Sequence, residues 1–238
     1  QSALSATLAH SILVQDMSYE WVSAAYPHLG GALGLGIQYL SYGGIKEVDA
    51  SGVDTGELSP SDLAVTVSYG RKVSALNAGI SAKYISSKIK DSASAVAFDA
   101  GAVYEGASVC GKTLNIGLVL KNAGTKLKFA GEGDNLPMEL RLGLSRECMS
   151  GLTASVDAIA PVYGRFKIGA GAEYAYKVSE TIGVCVRAGY NNGSADISGF
   201  KGLSAGLGIN YHKYSLDYAF VPMGDLGQTH RISTTLNL

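Results

Sequence analysis

The strongest constraint on this chain is a period of two that runs through nearly all of it. In Leu63, Val65, Val67, Tyr69 the intervening residues are Ala64, Thr66 and Ser68. In Phe166, Ile168, Ala170, Ala172, Tyr174 they are Lys167, Gly169, Gly171 and Glu173. In Ile182, Val184, Val186, Ala188, Tyr190 they are Gly183, Cys185, Arg187 and Gly189. Successive side chains of a strand point to opposite faces, so each such segment is a strand with two unlike sides. The pattern recurs to the C-terminus, and three more segments, about 3–12, 18–26 and 31–42, come before it. The total is about fourteen strands, each near the ~9–11 residues with which a tilted strand crosses a bilayer. In the second strand either Tyr19, Trp21, Ser23 and Ala25 share the apolar face, or Glu20, Val22, Ala24 and Tyr26 do. Helical periodicity is essentially absent.

A soluble sandwich would alternate too, and three features separate the two cases. The apolar face carries almost no charge, with His10 the main oddity, and turns polar abruptly at its ends: Arg71 follows Tyr69, Ser86 and Lys88 follow Tyr84, Arg146 follows Leu144. Tyr69, Tyr84, Tyr104, Tyr174, Tyr190 and Tyr211 all end their segments, as aromatic residues do where a strand leaves hydrocarbon for headgroups. The other face is Gly, Ala, Ser and Asn with scattered charges of both signs, not the Lys, Glu and Thr of a solvated sheet. Loop lengths also alternate. Connections after even strands are short, with Glu105–Thr113 a partial exception. Gly43–Pro60, Asn122–Leu136, Asn191–Lys201 and Val221–Thr229 are longer. Outer-membrane barrels show this asymmetry.

These features predict one all-β domain over 1–238, a transmembrane antiparallel up-and-down barrel of about fourteen strands with both termini periplasmic. Closure pairs every backbone group internally, as a lipid-embedded sheet requires. Fourteen strands at ~4.8 Å and ~40° tilt give a backbone diameter of roughly 28 Å. Glycine, alanine and serine cannot fill that lumen, so it holds a plug or an infolded loop, is collapsed, or conducts water.

Composition removes the other classes. Charged residues are 16% and hydrophobic ones 47%, which excludes disorder. The longest stretch without a strongly polar residue, Leu29–Ile37, is far short of a spanning helix. A net charge of −1 gives no footprint for nucleic acid. No signal peptide opens the chain and residue 1 is Gln, so it reads as a processed or truncated product. Gly34/Gly36, Gly169/Gly171 and Gly206/Gly208 follow period two inside strands, so they are no nucleotide fingerprint. His10, His28, His212 and His230 share no ligand spacing, and no GxSxG nucleophile elbow occurs. An enzyme, a metal site and a cofactor are not expected. Asn192-Gly193-Ser194 matches a glycosylation sequon by chance. Cys110, Cys148 and Cys185 read as free, partly buried thiols, Cys185 pointing inward.

The lumen-facing charges are Lys83, Asp99, Lys121, Arg141, Asp157, Lys167, Glu173, Arg187, Asp217 and Arg231. The plain reading is a cross-strand lattice that holds the wall, each pair contributing no more than about 1 kcal/mol. The functional reading is a selectivity or ligand-orienting ring.

The stretch Asp217-Tyr218-Ala219-Phe220-Val221-Pro222-Met223-Gly224-Asp225-Leu226-Gly227-Gln228-Thr229-His230-Arg231-Ile232-Ser233 resembles the C-terminal hairpin of the PorV/PorQ-type outer-membrane proteins. Tyr19-Glu20-Trp21-Val22-Ser23-Ala24-Ala25-Tyr26-Pro27 and Gly34-Leu35-Gly36-Ile37-Gln38-Tyr39-Leu40-Ser41-Tyr42-Gly43 are similar to early segments of that family. The resemblance covers the two ends; the middle agrees in pattern. It implies a FadL-like barrel in the bacterial outer membrane that passes hydrophobic molecules, long-chain fatty acids among them, through its lumen and out through its wall. The family's N-terminal hatch, which contributes the ligand pocket, has no counterpart here, and the terminal aromatic common in such barrels is Leu238. Glycine permits the bulge that parts two strands, so Gly34 and Gly36 are the candidates for a lateral opening. The expected partners are outer-membrane lipid and a hydrophobic ligand. The alternatives are a type IX secretion shuttle or assembly component, meeting secretion-system proteins through the outer loops, and a general diffusion pore.

Overall fold

The computed structural model describes residues 4–109, 111–129, 131–194 and 202–238. Strands β1 (Ser5–Ile12), β2 (Ser18–His28) and β3 (Gly31–Ser41) are followed by a small ribbon, β4 (Ile45–Val48) with β5 (Asp54–Leu58). Next come β6 (Ser61–Val73), β7 (Leu76–Lys88), β8 (Ser92–Val109) and β9 (Lys112–Gly124). A second ribbon pairs β10 (Leu127–Phe129) with β11 (Glu132–Asp134). The chain ends with β12 (Glu139–Met149), β13 (Leu152–Pro161), β14 (Lys167–Lys177), β15 (Ile182–Asn191), β16 (Leu203–Tyr211), β17 (Tyr214–Pro222) and β18 (Gln228–Asn237). Apart from the two ribbons, these strands form one closed fourteen-stranded barrel in the order β1-β18-β17-β16-β15-β14-β13-β12-β9-β8-β7-β6-β3-β2. Closure is made by β1 against β18, from Ser5 opposite Asn237 to Ile12 opposite His230.

The apolar face of every barrel strand points outward. One ring around the wall reads Leu8, Val22, Leu35, Val67, Ile80, Phe98, Leu118, Leu142, Val156, Ile168, Val186, Leu207, Leu216, Ile232, one residue per strand and all exposed. No large side chain among the described residues is fully buried. A molecule built so has no interior oil phase; its hydrophobic stabilisation comes from the bilayer around it and its specificity from closed backbone pairing. Tyr39, Tyr84 and Tyr190 ring one end of the band, and Tyr26, Tyr104, Tyr174 and Tyr211 the other; all are exposed.

One end carries two-residue turns such as Leu29–Gly30, where both residues have positive φ (50° and 70°). That conformation matches the twist of the flanking strands. Both termini lie at this end, because Ser5 and Asn237 face each other. The longer connections, including both ribbons, lie at the other end.

Register decides the second strand. Val22 stands between Leu8 and Ile37, so Glu20, Val22, Ala24 and Tyr26 face outward and Tyr19, Trp21, Ser23 and Ala25 face the lumen. The expected exception at 105–113 is no loop. β8 continues to Val109 and β9 starts at Lys112, because pairing propagates past the lipid band even where the sequence turns polar. Cys110 lies outside the described residues.

The segment after β9 folds inward at the loop-bearing end. Leu136 packs on Ala95 and Ala97 of the inner face of β8, with Ile85 and Leu127 beside it. Of the arrangements expected for the lumen, this is the infolded loop.

Candidate functional site

The lumen is built from the inner face. Gly70 of β6, Gly79 of β7 and Gly101 of β8 are register partners in a row, so three adjacent strands present bare backbone at one level. Above that row lies a chamber of about 910 Å³ near the two-residue turns, with Val103 and Val119 on its sides. Lys72 beside it donates to Glu105 at 2.6 Å. A second chamber, of about 780 Å³, lies against the opposite wall. It is lined by Tyr19, Trp21, Leu13 and Leu40, with Ser11, Ser204 and Arg231 among its polar groups. The first space has a mostly apolar lining with His28, Arg71, Lys72 and Asn77 as its polar groups, the make-up of a site for a small hydrophobic molecule; the second is also lined by the charged Arg187 and Asp217.

The charges read from sequence fall into separate clusters rather than one ring. Arg187 on β15 donates through Nε to Glu173 on β14 and through Nη1 to Asp217 on β17, both at 2.6 Å. It reaches Asp217 by crossing β16, where Gly206 and Gly208 leave the inner face bare; a Cβ at Gly208 would fall 3.2 Å from Arg187 Nη1. Arg141 donates to Glu139 at 2.7 Å, and Lys121 lies 3.9 Å from the same carboxylate. The Asp157 carboxylate lies over Gly143, and the Lys167 side chain over Gly193. Arg231 has no ion-pair partner among the described residues; it lines the second chamber with Tyr19 and Trp21.

The most enclosed cluster is Lys83, Asp99 and Asn122. Lys83 Nζ lies 2.8 Å from Asp99, with side-chain exposures of 10% and 19%. Between Phe98 and Ala100 the register with β9 slips, so that Asp99 faces both Lys121 and Asn122. Asn122 sits in the left-handed region (φ 59°). Its backbone N–H donates to Asp99 at 2.8 Å, its amide donates to the Pro137 carbonyl at 3.0 Å, and its side-chain oxygen accepts from Lys83. This bulge bends the wall and ties the infolded segment to it. Sequence reading found Lys83 and Asp99 but neither Asn122 nor Glu139 as members of a site; an asparagine at a strand end is the signal for such a bulge.

Gly34 and Gly36 face the lumen. β3 pairs with β2 from Ser18–Ser41 to His28–Gly31 and with β6 from Ala32–Gly70 to Ser41–Ser61, with no register shift. On the outer face His10 is accounted for by Glu20, its Nδ1 lying 2.6 Å from Oε1. Nearby the Tyr218 hydroxyl and His230 Nδ1 share a hydrogen bond of 2.8 Å. Cys185 is buried and free, Cys148 exposed and free. Among the described residues no group of three or more His, Cys, Asp or Glu stands together as a metal-ligand set.

At the loop-bearing end two anchors hold the first ribbon. The Tyr42 hydroxyl donates to Asp62 at 2.7 Å, and that hydrogen bond, with some burial, pushes the phenol up to about 12. Lys90 donates to Glu47 at 2.6 Å, which raises the lysine above its ordinary value.

No protein-family model and no curated protein matches the chain. Solved structures do. The Pseudomonas putida toluene transporter TodX is similar over 100% of this chain and 89% of its own, at 11% identity and a TM-score of 0.62. The monoaromatic hydrocarbon channel CymD has the same coverage, 12% identity and a TM-score of 0.62. The Ralstonia pickettii toluene transporter TbuX has the same coverage, 13% identity and a TM-score of 0.58. The shared property is the fold: this chain is a fourteen-stranded closed barrel of the kind those channels use.

Proposed function

We propose that the protein is a bacterial outer-membrane channel that passes small hydrophobic molecules, long-chain fatty acids among them, passively through its lumen. The chamber above Gly70, Gly79 and Gly101 carries this reading. It is a space of about 910 Å³ with an apolar body, inside a wall whose outer surface is apolar on every strand. The hydrocarbon channels that share the fold support it. In this reading the end with the two-residue turns and both termini is periplasmic, and the loop-bearing end meets the outside. Gly34 and Gly36 are the proposed side exit; since β3 is paired on both sides there, exit requires local, transient unpairing.

The test is uptake by Gram-negative cells that lack their own channel for hydrophobic solutes, whose outer leaflet is itself the barrier. Labelled oleate and labelled toluene are offered separately. Uptake above the empty-vector rate is expected for at least one of them. Ion conductance from the purified barrel without uptake of either would replace this function by a general diffusion pore.

A second reading, a secretion shuttle or assembly component, is favoured by the β4–β5 ribbon. Ile45, Val48 and Val53 are exposed on it, and the Lys90–Glu47 pair holds it to the β7–β8 connection. The likeness of the C-terminal hairpin to the PorV/PorQ-type proteins points the same way. Native isolation from the membrane would then yield a stoichiometric partner that an Ile45→Ser, Val48→Ser variant loses.

A further inference from the structure

The outer wall is not ridged evenly. On β7 and β8 its outward positions drop to alanine, at Ala78 and Ala82 on one strand and Ala100 and Ala102 on the next. Register sets Ala78 beside Ala102 and Ile80 beside Ala100, while Leu118 and Leu120 of β9 rise on the far side. The result is a groove of about 560 Å³ in the lipid-facing surface. It shares Tyr69, Ile80, Ala100 and Leu120 with a second groove of about 410 Å³. The two run together from Ala78 to Ala82, roughly 13 Å of strand at ~3.3 Å per residue.

Arg71 heads this groove. It follows Tyr69 on the outward face, pairs in register with Ala78, and extends toward Gly30 in the β2–β3 turn, within 3.9 Å of where a side chain there would start. It has no ion-pair partner among the described residues. Tyr69 is fixed beside it, its hydroxyl donating to the Leu29 carbonyl at 3.0 Å. The aromatic ring at this end, with Tyr104 on the adjacent β8, marks the depth at which headgroups lie.

A guanidinium offers a planar fork of donors that matches phosphate, and an alanine-floored groove with Tyr69 and Ile80 on one side and Leu118 and Leu120 on the other matches an alkyl chain. We propose that this groove holds one anionic glycerophospholipid, an acyl chain lying over Ala100 and the headgroup phosphate on Arg71. A second copy of this chain would cover the apolar groove, but its carboxylates at this end are already paired, Glu105 with Lys72, Glu147 with Lys112 and Glu180 with Lys177, so the charge selects the lipid. The site needs only that the barrel sits in a bilayer; Arg71 also stands at the rim of the first chamber, so lipid binding is read directly and not through uptake.

Native mass spectrometry of the detergent-purified barrel, titrated with phosphatidylglycerol or phosphatidylethanolamine, tests the site. The first phosphatidylglycerol is expected to bind about tenfold tighter, because phosphatidylethanolamine carries the same phosphate but also an ammonium that the Arg71 guanidinium repels. Arg71→Gln is expected to abolish that preference. Ala100→Leu, which fills the groove, is expected to weaken both lipids. Lys213→Gln, which removes a rim charge from the β16–β17 turn, is expected to change neither. Heat-modified gel mobility confirms that each variant is a folded barrel. Equal affinity for the two lipids, a preference that survives Arg71→Gln, or displacement of phosphatidylglycerol by an equal amount of lipid A would each overturn the assignment.

Discussion

The carboxylate of Asp217 stands where a side chain on Gly208 would begin. The two residues are partners across β16 and β17, and a Cβ at Gly208 would fall 2.5 Å from Asp217 Oδ1 and 2.5 Å from Cys185 Sγ. The bare backbone is what lets Arg187 span β16 and join Glu173 to Asp217. The period-two glycines of the inner wall thus do more than thin it: they open lanes along which long charged side chains reach a strand that is not their neighbour.

Gly208→Ala should therefore break the Arg187–Asp217 contact. The pair is partly exposed, at 41% and 33%, so the expected loss is modest, about 1 kcal/mol. Gly36→Ala is the control: its Cβ would meet nothing nearer than 3.8 Å, and a change within ~0.5 kcal/mol is expected. Urea unfolding in lipid vesicles, followed by tryptophan fluorescence, measures both. Equal losses at the two positions would refute the lane.

Asp99→Ala should cost more. It leaves the Lys83 ammonium enclosed with only the Asn122 side-chain oxygen nearby and strips the Asn122 N–H of its acceptor. Breaking one side of an enclosed pair costs about 3 kcal/mol. Lys83→Met in the same chain removes the stranded charge and should recover part of that loss. A double-mutant cycle in the same unfolding assay reads the coupling; a coupling near zero would mean that the pair does not hold the bulge.

Strand number, outward face and loop asymmetry were legible in the sequence because each is a local property of alternation. The second strand was not, because Tyr19, Trp21, Ser23, Ala25 and Glu20, Val22, Ala24, Tyr26 are similarly mixed; only the register of Val22 between Leu8 and Ile37 separates them. The same limit applies to the site. That Arg187, Glu173 and Asp217 face inward follows from parity, but that they join, and across an intervening strand, depends on register over four strands. His10 looked out of place on the apolar face until pairing set Glu20 beside it. The bulge at Asn122 and the extension of β8 to Val109 depend on what β9 offers as a partner. Neither strand's own pattern contains that information.

Tyr42 supplies a pH dependence confined to the loops. Its phenol is raised from 10.0 to about 12 because Asp62 accepts the hydrogen bond of its neutral hydroxyl. A group whose folded-state value is raised contributes its stabilisation fully below the unfolded value and loses it as pH climbs through the folded one. The anchor should be intact below about pH 10 and gone above about pH 12. An ultraviolet difference titration of wild type against Tyr42→Phe isolates this phenol; a midpoint at the ordinary value of 10.0 would show that the bond to Asp62 is not made in solution.

Leu136 decides how far the infolded segment narrows the lumen. It is 8% exposed and rests on Ala95 and Ala97, which are 4% and 0% exposed. Leu136→Asp would place a carboxylate against two alanine methyls, beside a Lys83 whose ammonium Asp99 and Asn122 already hold, a desolvation that the segment escapes by swinging into water. The barrel does not depend on that contact, because β8 and β9 keep their pairing as far as Val109 opposite Lys112. The expected outcome is a folded barrel with higher single-channel conductance and faster uptake of bulky hydrophobic solutes. Leu136→Met, which keeps the apolar contact, should behave as wild type. If Leu136→Asp conducts and transports as wild type does, the infolded segment is not what limits passage, and the constriction must lie among the lumen charges, with Lys83 and Asp99 the first pair to replace.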